Sequence, residues 1–163
     1  MTLLNNWEAT YFDFDENKLL SLIGEAKELG VDMFLLDDGW FGNKYKRHSD
    51  TQALGDWEVT ADKLPNGIGR LTEEAKKQGV KFGLWIEPEM VSPKSELYEK
   101  HKDWVITLPN REEYYFRNQL VLDMSKPQGA GLCVRRGGRT DDEVSRHSLL
   151  QVGLQQPDNQ HLL

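Results

Sequence analysis

The chain has one cysteine, Cys133, in 163 residues. No internal disulfide is therefore possible. No apolar run approaches the roughly 20 residues that a membrane-spanning helix needs. After Met1-Thr2-Leu3-Leu4 the chain turns polar at Asn5-Asn6. No charged region leads into an apolar run there, so no signal peptide is expected and a cytoplasmic setting is the simplest expectation. Positive charge is in deficit: 20 Lys and Arg stand against 27 Asp and Glu, for a net charge of -7. The basic residues form no stripe, which argues against nucleic acid and anionic membrane as partners. The end of the chain lacks aromatics. All five Trp, five Tyr and six Phe lie at or before Phe116, and no lysine follows Lys126. A segment so poor in apolar bulk buries little surface. A boundary is placed at about residue 128, with a domain over 1–128 and a poorly ordered tail over 129–163.

Phe34-Leu35-Leu36-Asp37-Asp38-Gly39-Trp40-Phe41 is the most informative stretch. A short apolar run, the size of one buried strand, ends in paired carboxylates and two aromatics. Burying paired charge is costly without partners, so the placement suggests a site. An aromatic beside acids is also a common way to hold a sugar: the ring covers its apolar face and carboxylates take its hydroxyls.

Periodicity extends this reading. Asp15 is a candidate N-cap for a helix carrying Leu19, Leu22, Ile23, Ala26 and Leu29, with Gly30 as its stop. Val31–Leu36 reads as a buried strand. Residues 42–67 read as a long loop, a length that usually signals function. Ile68, Leu71 and Ala75 share one face of a second helix that ends at Gly79. Val80–Ile86 is a further strand, ending in Glu87-Pro88-Glu89. Ser92 is expected to cap a third helix with Pro93 in its first turn. Asn5–Phe12 is expected to hold the first strand and its exit loop. Gln119–Asp123 is one more short apolar run. Two units repeat the order helix, glycine, strand, acid, which implies parallel strands with helical crossovers. Acids at successive strand ends suit a barrel whose active face is built there. An open doubly wound sheet gives the same alternation, but its phosphate-binding glycine signature is absent. Three strands fall short of eight. The fold class expected is α/β, the N-terminal part of an incomplete (β/α)8 TIM barrel.

Each candidate site residue also has a plainer reading. Asp37 and Asp38 could cap a loop or helix through backbone N–H groups. Trp40, Trp57 and Trp85 could be core residues. Asp56 could belong to an ordinary turn. Glu87 could be a solvated loop acid, and Arg117 could pair with Glu112 or Glu113. A cluster of Asp37, Asp38, Glu87 and Glu89 could accept Mg²⁺ or Mn²⁺, though no histidine supports it. No cofactor and no metal are expected.

Taken together, NNWEATYFDF (5–14), LGVDMFLLDDGWFG (29–42), LGDW (54–57), LPNGI (64–68), KFGLWIEPEMVSP (81–93) and RNQLVLDMSKP (117–127) resemble the family-36 glycoside hydrolases, chiefly bacterial α-galactosidases. The resemblance implies a (β/α)8 catalytic barrel and a retaining mechanism, with terminal α-galactosides such as melibiose and raffinose as substrates. It implies that Asp37 and Asp38 hold galactose hydroxyls, that Trp85 contacts the sugar and that Arg117 binds a hydroxyl. Trp40, Asp56, Trp57 and Glu87 are further candidates for substrate binding. The small-molecule galactoside is the expected partner, and the parent is expected to form homo-oligomers. The family's nucleophile lies in a motif like KWDCN on the fourth strand, and its acid/base aspartate comes later. Neither motif is present, so no catalytic residue is assigned and the chain is expected to be inactive. A related α-galactosyl transferase, an α-N-acetylgalactosaminidase fragment or a non-catalytic galactose binder would fit the same residues.

The tail departs from the family after Pro127-Gln128. Read one base out of frame with third bases chosen freely, residues 129–156 can encode AQDYVFGVVDELMTKYPDIAYFKWDCN, the kind of sequence the family has at this point. The nucleophile codon would straddle Gly153 and Leu154. A single-base frameshift is the expected origin of the tail.

Overall fold

A computed structural model describes residues 1–113, 115 and 117–126, together with the backbone of Ser148–Val152. The chain opens with β1 (Leu3–Asn5), a helical turn α1 (Trp7–Thr10) and α2 (Glu16–Glu28). It continues through β2 (Met33–Leu36), α3 (Gly67–Gln78) and β3 (Lys81–Ile86). A short β4 (Met90–Val91), α4 (Glu96–Lys100), a 3-10 turn at Lys102–Trp104 and β5 (Leu120–Val121) follow. Last is β6 (Ser148–Val152). The main sheet has the order β1-β2-β3-β6, every pair parallel, and β4 and β5 form a separate antiparallel pair.

The helices follow their sequence signals. The Asp15 side chain accepts from the Lys18 backbone N–H and starts α2 as expected. Leu19, Ile23 and Ala26 recur at helical spacing and are buried. Gly79 ends α3 in the left-handed conformation. The two helices pack on each other, and Phe34, Leu36, Ile68, Leu71, Phe82 and Leu84 join in one core with Leu19 and Ile23. β2 is buried at all four positions, as a strand covered on both faces must be.

Two local expectations need correction. The first strand lies at Leu3–Asn5 and not within Asn5–Phe12; Asn6 turns the chain into α1, where the Thr10 hydroxyl donates to the Asn6 carbonyl oxygen. The cap of α4 is Ser95, whose hydroxyl oxygen accepts from the Tyr98 N–H. Ser92 instead receives the Leu54 N–H on its hydroxyl and ties the long loop to the end of β4. The tail reading falls, apart from the backbone of Ser148–Val152, outside the described residues.

Residues 42–66 link β2 to α3 without regular structure, save one antiparallel bridge between Phe41 and Val59. Gly42 makes the first turn of this link possible. Its φ is +91°, and a Cβ there would lie 2.5 Å from the Tyr45 carbonyl oxygen and 2.8 Å from the Ala53 Cβ. Gly24, inside α2, has nothing within 4 Å of the same added atom. Gly42→Ala should therefore cost about 1–3 kcal/mol, while Gly24→Ala should gain about 0.5–1 kcal/mol. Urea unfolding of the two variants checks both signs.

Candidate functional site

Parallel pairing brings the carboxyl ends of β1, β2 and β3 together. Asn5 lies opposite Leu35, and Leu36 lies opposite Leu84. Asp37 therefore leaves β2 level with Trp85, and Asp38 follows at the level of Ile86. The end of β1 steadies the first acid. Asn5 Nδ2 donates to Asp37 Oδ2 at 2.6 Å, and the Asp37 N–H donates to Asn6 Oδ1 at 2.7 Å. The other Asp37 oxygen accepts from the Asp38 N–H at 2.7 Å. Asp37 is half-buried and Asp38 is buried.

Asp38 meets a cation that sequence patterning did not single out. Arg47 Nε donates to Oδ1 at 2.9 Å and Nη2 donates to Oδ2 at 2.7 Å. Both side chains are almost sealed from water, at 1% exposure for Arg47 and 7% for Asp38. The Arg47 charge lies against the rings of Phe12 and Phe41, at 5.7 and 5.6 Å from their centroids. Burial raises the Asp38 carboxyl above its ordinary value, although the Arg47 bonds pull it down.

Lys63 is a second buried cation. Its ammonium donates to the carbonyls of Phe12 at 2.9 Å, Gly39 at 3.0 Å and Arg47 at 3.2 Å. An ammonium has three donors, and here all three are used. One side chain thus joins the link between α1 and α2 and the exit of β2 to the long loop. Loss of water lowers the group to about 8.

At the end of β3, Glu87 is 1% exposed, and its Oε1 has no hydrogen-bond partner. Both Glu89 carboxylate oxygens are likewise buried and unpartnered. Burial and then the nearby Glu89 raise Glu87 to about 7. Arg117 acts in the other direction on Glu87 and donates to Asp50 Oδ2 at 3.3 Å. That partner replaces Glu112 and Glu113 in the plainer reading.

The remaining candidates are distributed differently. Trp85 is half-buried and meets Trp57 edge-on at 6.0 Å. Trp40 is fully buried and donates its indole N–H to the Trp85 carbonyl at 3.0 Å, which makes it part of the core under Trp85. Asp56 is buried, and its two oxygens accept from the Glu96 and Leu97 N–H groups at 2.8 and 2.9 Å. It holds the start of α4. The arrangement gathers Asp37, Asp38, Trp85 and Glu87 at one end of the sheet, with Arg117 near Glu87. Among the described residues, no group of three or more His, Cys, Asp or Glu is placed to hold a metal ion. Nor is any helix among them long and apolar enough to cross a membrane. A hollow of about 440 Å³ lined by Lys27, Gly30, Val31, Asp32, Gly79 and Lys81 opens at the opposite end of the strands, away from these acids.

Arg47, Asp50 and Lys63 escaped sequence reading because each is one charged residue in a polar loop of turn formers. Nothing in their spacing marks Arg47 and Lys63 as buried or Asp50 as the partner of Arg117. Half-buried carboxylates beside an indole can receive hydroxyl groups while the ring covers apolar C–H surface.

The Glu87 carboxyl titrates at about 7 in the fold against an ordinary 4.5. A raised group contributes stability that is complete below about pH 4.5 and is lost as pH rises through about 7. Thermal unfolding should show a fall in stability from pH 5 to pH 8. Glu87→Gln should reduce that slope and stabilise the protein at pH 8 by up to about 3 kcal/mol.

A family model described as Melibiase matches residues 1–135. Alpha-galactosidase AgaA of Geobacillus stearothermophilus is 55% identical over 124 residues, which are 76% of this chain and 17% of that protein. The crystal structure of the alpha-galactosidase from Lactobacillus brevis superimposes with a TM-score of 0.83 at 47% identity, covering 88% of this chain and 19% of the other. A variant of the Geobacillus GH36 AgaA in complex with raffinose gives a TM-score of 0.79 at 46% identity, over 93% of this chain and 20% of the other. The chain thus spans about a fifth or less of the relatives it matches.

Proposed function

The chain belongs to the Melibiase family, and from that membership we propose that its parent protein hydrolyses terminal α-galactosides such as melibiose and raffinose. Within that parent, this chain supplies part of the wall that holds galactose. Asp37 and Asp38 accept ring hydroxyls, Trp85 covers the apolar face of the ring and Arg117 donates to a hydroxyl. Trp57 and Glu87 support the same pocket, from beside Trp85 and from the end of β3. The observation that carries this reading is the register of β2 on β3, because it brings an acid pair and an indole to one level on adjacent strands. A relative with related sequence and backbone is seen in complex with raffinose, which supports a galactoside as the ligand.

The scaffold in this proposal is the first part of a (β/α)8 barrel. Three parallel strands in sequence order support it, with α2 crossing from β1 to β2 and α3 from β2 to β3. β6 continues the same sheet, pairing Trp85 with Gln151 and Ile86 with Val152. The alternative reading frame of the tail puts its lysine codon across Gln151 and Val152, at the end of this strand. Its aspartate codon follows across Gly153 and Leu154. The frameshift proposed for residues 129–163 thus loses the attacking carboxylate one step beyond a strand that already pairs with β3.

Retaining hydrolysis needs a carboxylate to attack the anomeric carbon and a second to act as acid and then base. This chain offers neither, so binding is separated from turnover. Purified chain should release no phenol from an aryl α-galactoside above a mock preparation. Addition of methyl α-D-galactoside should move the Trp85 indole resonance in NMR, and Asp37→Asn should weaken that response about tenfold or more. Turnover, or a silent Trp85, would refute the assignment. Sequencing the coding DNA across codons 128–156 tests the tail: the out-of-frame triplets should spell the KWDCN motif.

A further inference from the structure

Asp38 and Arg117 come from segments 79 positions apart in sequence, yet the structure joins them through two residues of the long loop. Arg47 holds Asp38 with two donors, at 2.9 and 2.7 Å. Its Nη1 is spent on the Gln52 carbonyl at 2.8 Å. Its Nη2 also lies 3.8 Å from Asp50 Oδ1, and Asp50 Oδ2 receives Arg117 Nη2 at 3.3 Å. The sequence of charges is therefore Asp38, Arg47, Asp50, Arg117. Arg117 and the following Asn118 both have positive φ, +49° and +62°, a conformation that non-glycine residues rarely adopt. Arg47 is itself locked, since Phe12 and Phe41 flank its charge and its own carbonyl receives Lys63.

We infer that Arg47 is a positioning residue: it holds Asp38 as a fixed hydroxyl acceptor and, through Asp50, sets Arg117 at a defined distance from it. This rests on the galactoside reading above. Each carboxylate oxygen has two lone-pair directions, and the guanidinium takes one from each. The free directions then point where the ion pair dictates, so a hydroxyl of the wrong configuration finds no acceptor. The charges around Asp38 are Arg47, Asp50 and Asp37, with Lys63 and Glu87 also within electrostatic reach. Three of these five are acids. Without Arg47, a buried Asp38 would take up a proton and become a donor.

The full 163-residue chain tests this with methyl α-D-galactoside as the probe. Wild type should show only the pH dependence that Glu87, titrating at about 7, imposes between pH 6 and 8. Arg47→Met should bind about tenfold to a hundredfold more weakly at pH 8 and should gain a second, Asp38-linked pH dependence that persists in the Glu87→Gln background, as Asp38 titrates at higher pH by carboxyl NMR. Arg47→Lys should recover part of both effects. A folded Arg47→Met chain with wild-type affinity and an unmoved Asp38 titration would overturn the inference. If wild type fails to bind the probe, the galactoside reading falls, and the Asp38 titration alone still decides whether Arg47 sets that carboxylate. If Arg47→Met does not fold, the wild-type Arg47 Nε–H resonance decides: it should follow the Asp38 titration, and a resonance that ignores it counts against the inference.

Discussion

Arg47 and Asp38 meet inside the protein, and the connection between β2 and α3 is arranged around that meeting. Neither group could be there alone, because an isolated buried charge is far less stable than one in water. Together they form two short bonds in a site almost closed to solvent. Such a pair adds little net stability compared with apolar packing of the same volume. Its consequence is geometric. It fixes where residues 42–66 cross the carboxyl ends of the strands and, with them, where Asp50 stands.

Lys63 applies the same constraint to the backbone. Its three carbonyl partners belong to the link between α1 and α2, the β2 exit and the long loop. Carbonyl oxygens in such irregular segments have no helix or sheet partner, and burying them unmet is unfavourable. One ammonium meets three of them. The acids at the end of β3 have no equivalent. Glu87 Oε1 and both Glu89 oxygens are buried and unpartnered, and Glu87 responds by holding its proton to about 7. The polar end of the sheet is thus rigid on the side of β1 and β2 and chemically open on the side of β3.

Much of this was legible in the chain. Helix α2 could be read from Asp15 and the spacing of Leu19, Ile23 and Ala26, because capping and amphipathic burial are local. Strand β2 could be read from its unbroken apolar run. The placement of Asp37 and Asp38 at its end followed from that run. The errors came where the partner was distant. Ser92 and Ser95 both precede a helix-forming segment, and choosing between them depends on Leu54, thirty-eight residues away from Ser92. Asp56 sits in the same motif as Trp57, yet its carboxylate serves the start of α4, across the fold. Trp40 follows the acid pair directly, but its ring is buried beneath Trp85 and donates to that residue's backbone.

The sequence by itself determined the element types, the alternation of helix and strand, and the residue types collected at the strand ends, because those depend on neighbours within a few positions. Tertiary structure alone decided which charges are buried and which acids are free. Arg47, Asp50 and Lys63 are ordinary polar-loop residues until parallel pairing brings the ends of β1, β2 and β3 into one plane. Only then does the low dielectric of the interior make Arg47 and Lys63 the required partners of a particular carboxylate and of particular carbonyls, while half-exposed Asp50 meets Arg117.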